Sequence, residues 1–286
     1  MMKESDVVTT KELLLDIIKT NLTREGLAWL EAWETTPDQI NSIGKTFVMA
    51  PRKTGKAIVQ LSDSQLAALN EADLAYIAQW SIDRLCRVWL LSNLPATDQD
   101  KLYAAISQLC LSAEMNEAVA LYSALPFLPF PGIWAMRCAE GIRSNIGSVL
   151  EAIMENNPYP AQYLDEAAWN QLVLKAFFTE KNINLIVGLD ERANLKLALT
   201  LTDYAKERWA AGRKVNPQLW RLVGKFTNSE IFEVLKNGLQ HYDQVEQRAI
   251  ALAVAGSDYQ PAKDYINTFP ELKNVLTTNS LSWDQF

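Results

Sequence analysis

Apolar residues recur at intervals of three and four along most of the chain, a pattern that predicts one helix after another. Between residues 72 and 92, Leu74, Ile77, Ala78, Leu85, Val88 and Trp89 share one face at that spacing. Period-two alternation is confined to two short pieces, Thr46–Met49 and Ala57–Leu61. Polar punctuation supplies the boundaries. Thr9 with Glu12 and Ser62 with Gln65 have capping-box spacing, and Thr97 with Asp100 and Thr227 with Glu230 mark further starts. Asn216 before Pro217 sets a cap ahead of a proline at the first helical position, and Gly256 stops the apolar run AIALAVA.

These signals predict an all-α chain of roughly a dozen helices joined by short connections. The expected architecture is an irregular, HEAT-like stack of antiparallel helix pairs, with a globular helical bundle as the alternative. No tetratricopeptide consensus recurs. Residues 1–286 read as a single α-helical domain, because no low-complexity linker divides them. Residues 41–61, which contain Gly44 and four basic side chains, are expected as a loop excursion between helical regions.

Composition narrows the chemistry. With 286 residues, 49% of them hydrophobic and 21% charged, the chain can bury a core without metal or disulfide staples. The net charge of −7 argues against a nucleic-acid binder, which needs a concentrated basic surface to neutralise phosphates. Cys86, Cys110 and Cys138 are odd in number and set among apolar neighbours, the pattern of free thiols in a reducing compartment. The N-terminal stretch has no apolar core of a signal peptide. Ala118 to Met136 is uncharged over nineteen residues, but Pro126, Pro129, Pro131 and Gly132 would interrupt a spanning helix, so two core helices joined by a proline-rich corner are expected. Together these features predict a cytoplasmic protein with no direct membrane span.

The usual catalytic signatures are missing. Gly44-Lys45-Thr46 lacks the upstream glycine of a phosphate loop, since position 39 is Gln. The single histidine, His241, would have to serve any Ser-His-Asp triad and reads better as a surface residue. No metal or cofactor is expected. The odd residues cluster instead between positions 155 and 223. The segment DEAAWNQLVLKAFF (165–178) is apolar nearly all round, so it is expected to be covered by neighbours, with Asn170 and Lys175 between buried surfaces. In a helix over 190–212, Asp190, Asn194 and Arg208 fall on the apolar face. Arg208 lies about 27 Å along that helix from Asp190, so it needs a carboxylate from another helix or an anionic ligand. An inter-helix ion pair and a ligand site both remain open. Trp89, Trp169, Trp209 and Trp220 are expected in the core.

The strings NPYPAQYLDEAAWNQLVLKAFF (157–178) and GLDERANLKLALTLTDYAKERWAAGRKVNPQLWRLVGKF (188–226) resemble the EboA family, as does MAPRKTGKA (49–57). The resemblance implies a non-enzymatic accessory or adaptor protein in bacterial secondary-metabolite precursor traffic. It implies partners among proteins of the same gene cluster, which resemble a TatD-type metallohydrolase, a UbiA-type membrane prenyltransferase, a sugar-phosphate-isomerase-like barrel and a dehydroquinate-synthase-like protein. It carries over no catalytic residue. The sequence reading places a ligand or partner groove at Asn157, Tyr159, Trp169, Asn170, Lys175, Asp190, Asn194, Arg208 and Arg213, open to a small anionic metabolite. An enzyme acting on an anionic aromatic or isoprenoid substrate is the alternative, and a generic helical interaction module is a third.

Overall fold

The structure, a computed structural model, describes residues 4–277 and 281–286, without the side chains of residues 4–9 and 241. The side-chain reading of His241 therefore lies outside the described residues. Seventeen α-helices and six short 3-10 segments make up the described chain, and an isolated antiparallel bridge pairs Ile58 with Ser81. The chain is all-α. It divides into two compact units, residues 1–165 and 166–286.

The first unit is built on the helix Ile82–Ser92, ten of whose eleven residues are buried. Helices Glu4–Asn21, Gln39–Thr54 and Met115–Ala124 pack against it, leaving only Arg84 outside the buried set. Two charges are carried into that environment. Asp83 and Arg87 pair one helical turn apart, with Nη1 2.7 Å from Oδ2 and both side chains at most 5% exposed. Arg87 also donates from Nε to the Phe47 carbonyl (3.0 Å) and approaches Glu117 at 3.5 Å. A buried charge is tolerable only with such a complete set of partners. The uncharged stretch 118–136 forms the expected corner: Met115–Ala124 ends in the 3-10 turns Leu125–Phe127 and Pro131–Trp134 before Ala135–Gly141. Among the described residues no helix is long and apolar enough to cross a membrane.

The second unit is organised around Gln244–Ala255, which packs against Gln218–Val223, Ser229–His241, Gln260–Ile266 and Pro270–Thr277. Close approach at this centre requires glycine. A Cβ on Gly224 would stand 2.6 Å from the Ala253 carbonyl oxygen, a backbone atom that cannot swing aside.

Several boundaries differ from the sequence expectation. The first helix starts at Glu4, so Thr9 lies inside it rather than capping it. The Ser62–Gln65 capping box forms as expected, and Gly256 caps Gln244–Ala255. Asp98 and Asn228 replace Thr97 and Thr227 as N-caps, each one residue later, because their carboxylate and amide accept from the third backbone N–H. The excursion at 41–61 is helical through Thr54, and only 55–61 is extended or irregular. Gly44-Lys45-Thr46 thus lies within a helix. Gly55, with φ of 80°, supplies the left-handed residue that ends it.

Candidate functional site

The helices Glu166–Phe178 and Leu195–Ala210 pack together within the second unit. Trp169, Leu172, Val173, Ala176 and Phe177 form the buried face of the first, but Phe178 is 68% exposed and Ala167 is exposed. The helix is therefore covered on one side, not all round. Asn170 and Lys175 lie at the margin of that face, half-buried, and Lys175 is engaged with a partner.

The second helix begins at Leu195, five residues later than expected. Gly188, with φ of 75°, and the turn that follows it hold Asp190 outside the helix. Asn194 is the N-cap, accepting from the Leu197 N–H at 2.9 Å. Its side-chain amide also exchanges two hydrogen bonds with Asn170, at 2.8 and 3.1 Å. The pair ties the two helices together and satisfies both amides at once. Beside it, Arg192 lies over the Trp169 ring at 4.8 Å. Asp190 pairs with Arg221, its Oδ1 accepting from Nε at 2.8 Å and its Oδ2 meeting Nη2. That two-pronged contact holds the guanidinium pKa above its ordinary value, the hydrogen bond contributing most.

The C-terminal turn of Leu195–Ala210 explains Arg208 and Arg213. Gly212 is left-handed at φ 66°, and the Arg213 N–H donates to the Arg208 carbonyl at 2.8 Å, a Schellman-type close. The chain reverses and brings the Lys214 carbonyl over the end of the helix. Arg208 donates to it from Nε (2.9 Å) and from Nη2 (2.7 Å). The Arg213 side chain stays exposed. The expected carboxylate from another helix is not what meets Arg208: a neutral carbonyl from its own chain does, and the ligand alternative stays open. Among the described residues no carboxylate pairs with Arg208, so its charge is oriented but not neutralised.

That charge lines a pocket of about 490 Å³ within the second unit. Its charged lining is Lys181, Arg208 and Lys214 against the single acid Glu180. Phe177, Tyr204 and Phe286 contribute flat apolar or aromatic walls, and Gln218 closes one side. Tyr204 sits beside Arg208, with the guanidinium carbon 6.0 Å from the ring centre. Lys214 is steadied by Asp243 at 3.0 Å. The lining thus sets cationic side chains beside apolar and aromatic ones.

Of the nine residues proposed from sequence, only Arg208 lines this pocket. Asn157 and Tyr159 belong to the first unit and spend their polar atoms on its backbone. Asn157 donates to the Ala152 and Tyr122 carbonyls (2.8 and 3.2 Å) and accepts from the Tyr159 N–H, while the Tyr159 hydroxyl donates to the Pro131 carbonyl. Trp169, Asn170 and Asn194 form the helix-pairing cluster described above. Lys181, Tyr204, Lys214 and Gln218 were missed. The Gly212-Arg213 pair directly after a helix ending in RWAA was the available signal for a reversing turn there.

A second buried polar group lies close in sequence to this pocket. Trp220, Trp209 and Tyr242 form a stack, with ring centres 5.6 and 4.3 Å apart. The Trp209 indole donates to the Glu246 carboxyl at 2.9 Å. Burial pushes the Glu246 pKa up to about 7, with Asp243 adding to the rise. The Trp209 hydrogen bond and the Lys214 charge pull the other way, as does the Trp220 indole, although its N–H reaches no partner at hydrogen-bond geometry. A carboxylate in the first turn of a helix is ordinarily favoured by the helix dipole. Here desolvation is the larger effect.

A family model described as "Metabolite traffic protein EboA" matches residues 10–224, which takes in the Arg208 turn and most of the pocket lining. The comparisons with curated proteins and with solved structures found no match.

Proposed function

The chain belongs to the EboA family, and from that premise we propose that it is a non-enzymatic accessory protein of metabolite traffic that holds a small anionic metabolite in the pocket of its second unit. The observation that carries this reading is Arg208: a guanidinium fixed by two hydrogen bonds to a carbonyl, with no carboxylate partner among the described residues, lining a pocket beside Lys181 and Lys214, the latter paired with Asp243. An organic anion entering there meets charge that is already oriented, so little ordering entropy is lost on binding. In this reading the protein receives its ligand from, or passes it to, other proteins of the same gene cluster, and chemistry is left to them. The HEAT-like order of the helices and a cytoplasmic location belong to the same proposal.

Complementation tests it. In a strain lacking the protein, Arg208→Ala should fold, by circular dichroism and thermal melting, yet lower the output of the pathway. Lys175→Ala, which changes a residue outside the pocket, should leave output near normal. Full output from a folded Arg208→Ala protein would remove the pocket from the account.

A further inference from the structure

In a chain of net charge −7, residues 39–62 carry four cations, Lys45, Arg52, Lys53 and Lys56, and no acid. Lys53 pairs with Glu25 at 2.9 Å, whereas Lys45, Arg52 and Lys56 are exposed and meet no carboxylate among the described residues. On the helix Gln39–Thr54, a step of about 100° per residue sets Asn41, Lys45, Val48 and Arg52 within a sector of about 60°. Val48 is 55% exposed on that stripe, while Ile43, Phe47 and Ala50 fill the opposite, buried face. Gly55 then turns the chain, and Lys56, Ala57 and Ile58 after it are exposed too, Ile58 at 50%. The helix dipole accounts for Arg52, which stands in the last turn, but not for Lys45 or for a bare Val48.

We propose that this face of the first unit is a docking surface for a bilayer rich in anionic phospholipid, on which the protein lies peripherally. Lys45, Arg52 and Lys56 meet the phosphate headgroups, and Val48 and Ile58 enter the boundary beneath them. Charge attraction and a small apolar insertion are the two contributions that interfacial binding combines. No described helix is long and apolar enough to cross a membrane, and docking from one side needs none. An acidic protein would also complement the charge. Protein interfaces, however, are depleted in Lys and draw their binding energy from aromatic and Arg anchors. Phe47 is the one aromatic residue in 39–62, and it is only 1% exposed. A stripe of two lysines, one arginine and bare aliphatic side chains therefore suits lipid better than protein. The proposal concerns the first unit alone and does not depend on the pocket of the second.

Flotation of the full chain with lipid vesicles tests it. The protein should float with vesicles of phosphatidylglycerol mixed equally with phosphatidylcholine, and not with phosphatidylcholine alone. Binding should fall away at about 0.5 M salt, where exposed charges are screened. Lys45→Gln combined with Arg52→Gln should weaken it about twentyfold, roughly fivefold for each cation removed. Val48→Ser combined with Ile58→Ser, which leaves the charge unchanged, should weaken it about fivefold. Lys206→Gln combined with Lys273→Gln removes the same charge from exposed positions in the second unit and should leave binding nearly unaltered. All these positions are exposed, so each protein should keep its helical circular dichroism. No binding to the anionic vesicles overturns the proposal, as does equal binding to both lipids. So does an equal loss from the second-unit substitutions, which would reduce the effect to overall charge. Binding to soluble polyglutamate without binding to vesicles would also overturn it, and would give the face to an acidic protein instead.

Discussion

The Glu246 carboxyl gives a sharp test of the energetics of the second unit. Its pKa rises from 4.5 to about 7, chiefly because burial beside Trp209 and Trp220 penalises the charged form. The folded protein therefore binds a proton that the unfolded chain has already released between about pH 4.5 and pH 7. Stability from the protonated carboxyl is complete below the unfolded value and is lost as pH rises through the folded one. At 1.36 kcal/mol per unit the full swing is about 3 kcal/mol, and partial screening brings the expected cost to about 2 kcal/mol. Glu246→Gln keeps an oxygen to accept from the Trp209 indole but never ionises. It should match the unaltered protein near pH 4.5 and exceed its stability by about 2 kcal/mol at pH 8, measured by urea denaturation across that range. The difference between the two curves isolates Glu246 from every other titrating group, including the flanking Asp243 and Lys214. A substituted protein with the same pH slope as the original, or one less stable at pH 8, would refute the argument.

Other consequences are simpler. Arg87→Ala strands Asp83 in the centre of the first unit and should cost about 3–5 kcal/mol in chemical denaturation, whereas replacing both charges by apolar residues of similar volume should cost far less. Gly224→Ala drives a methyl to within 2.6 Å of the Ala253 carbonyl and should lower stability by about 2–3 kcal/mol, visible as a drop in melting temperature. Asn194→Ala removes a helix cap and the partner of Asn170 and should cost about 1–2 kcal/mol, while Asn194→Asp, which can still cap, should cost less.

The sequence shows some parts of this structure more readily than others, for physical reasons. Helices are legible because their apolar period is local: of the six residues on the expected face, Leu74, Ile77, Leu85, Val88 and Trp89 are buried and Ala78 is half-buried, although a 3-10 turn over Ala75–Gln79 breaks the segment before Ile82. All four expected core tryptophans are buried as well. Chain reversal is less legible. Arg208 looks unaccompanied on a helical wheel because its partner is the carbonyl six residues on, brought back by Gly212 in a conformation that periodicity does not describe. Asp190 looked helical for the same reason, the left-handed Gly188 being the signal that places it in a turn. Apolar content alone overstated the burial of Glu166–Phe178, since Phe178 ends the helix in solvent. In the opposite direction, the buried pairing of Asp83 with Arg87 was not among the sequence expectations, though their separation of four residues is that of an intrahelical ion pair. Gln218 could not be read from sequence at all, because the carbonyls that hold its amide lie more than sixty residues away.

The central claim is that Arg208 presents oriented positive charge to a small anion, and calorimetric titration of benzoate into the unaltered and Arg208→Ala proteins tests it most directly. The account predicts saturable binding to the first and at least tenfold weaker binding to the second, with both proteins folded. Equal affinity in the two, or no binding to either, would contradict it.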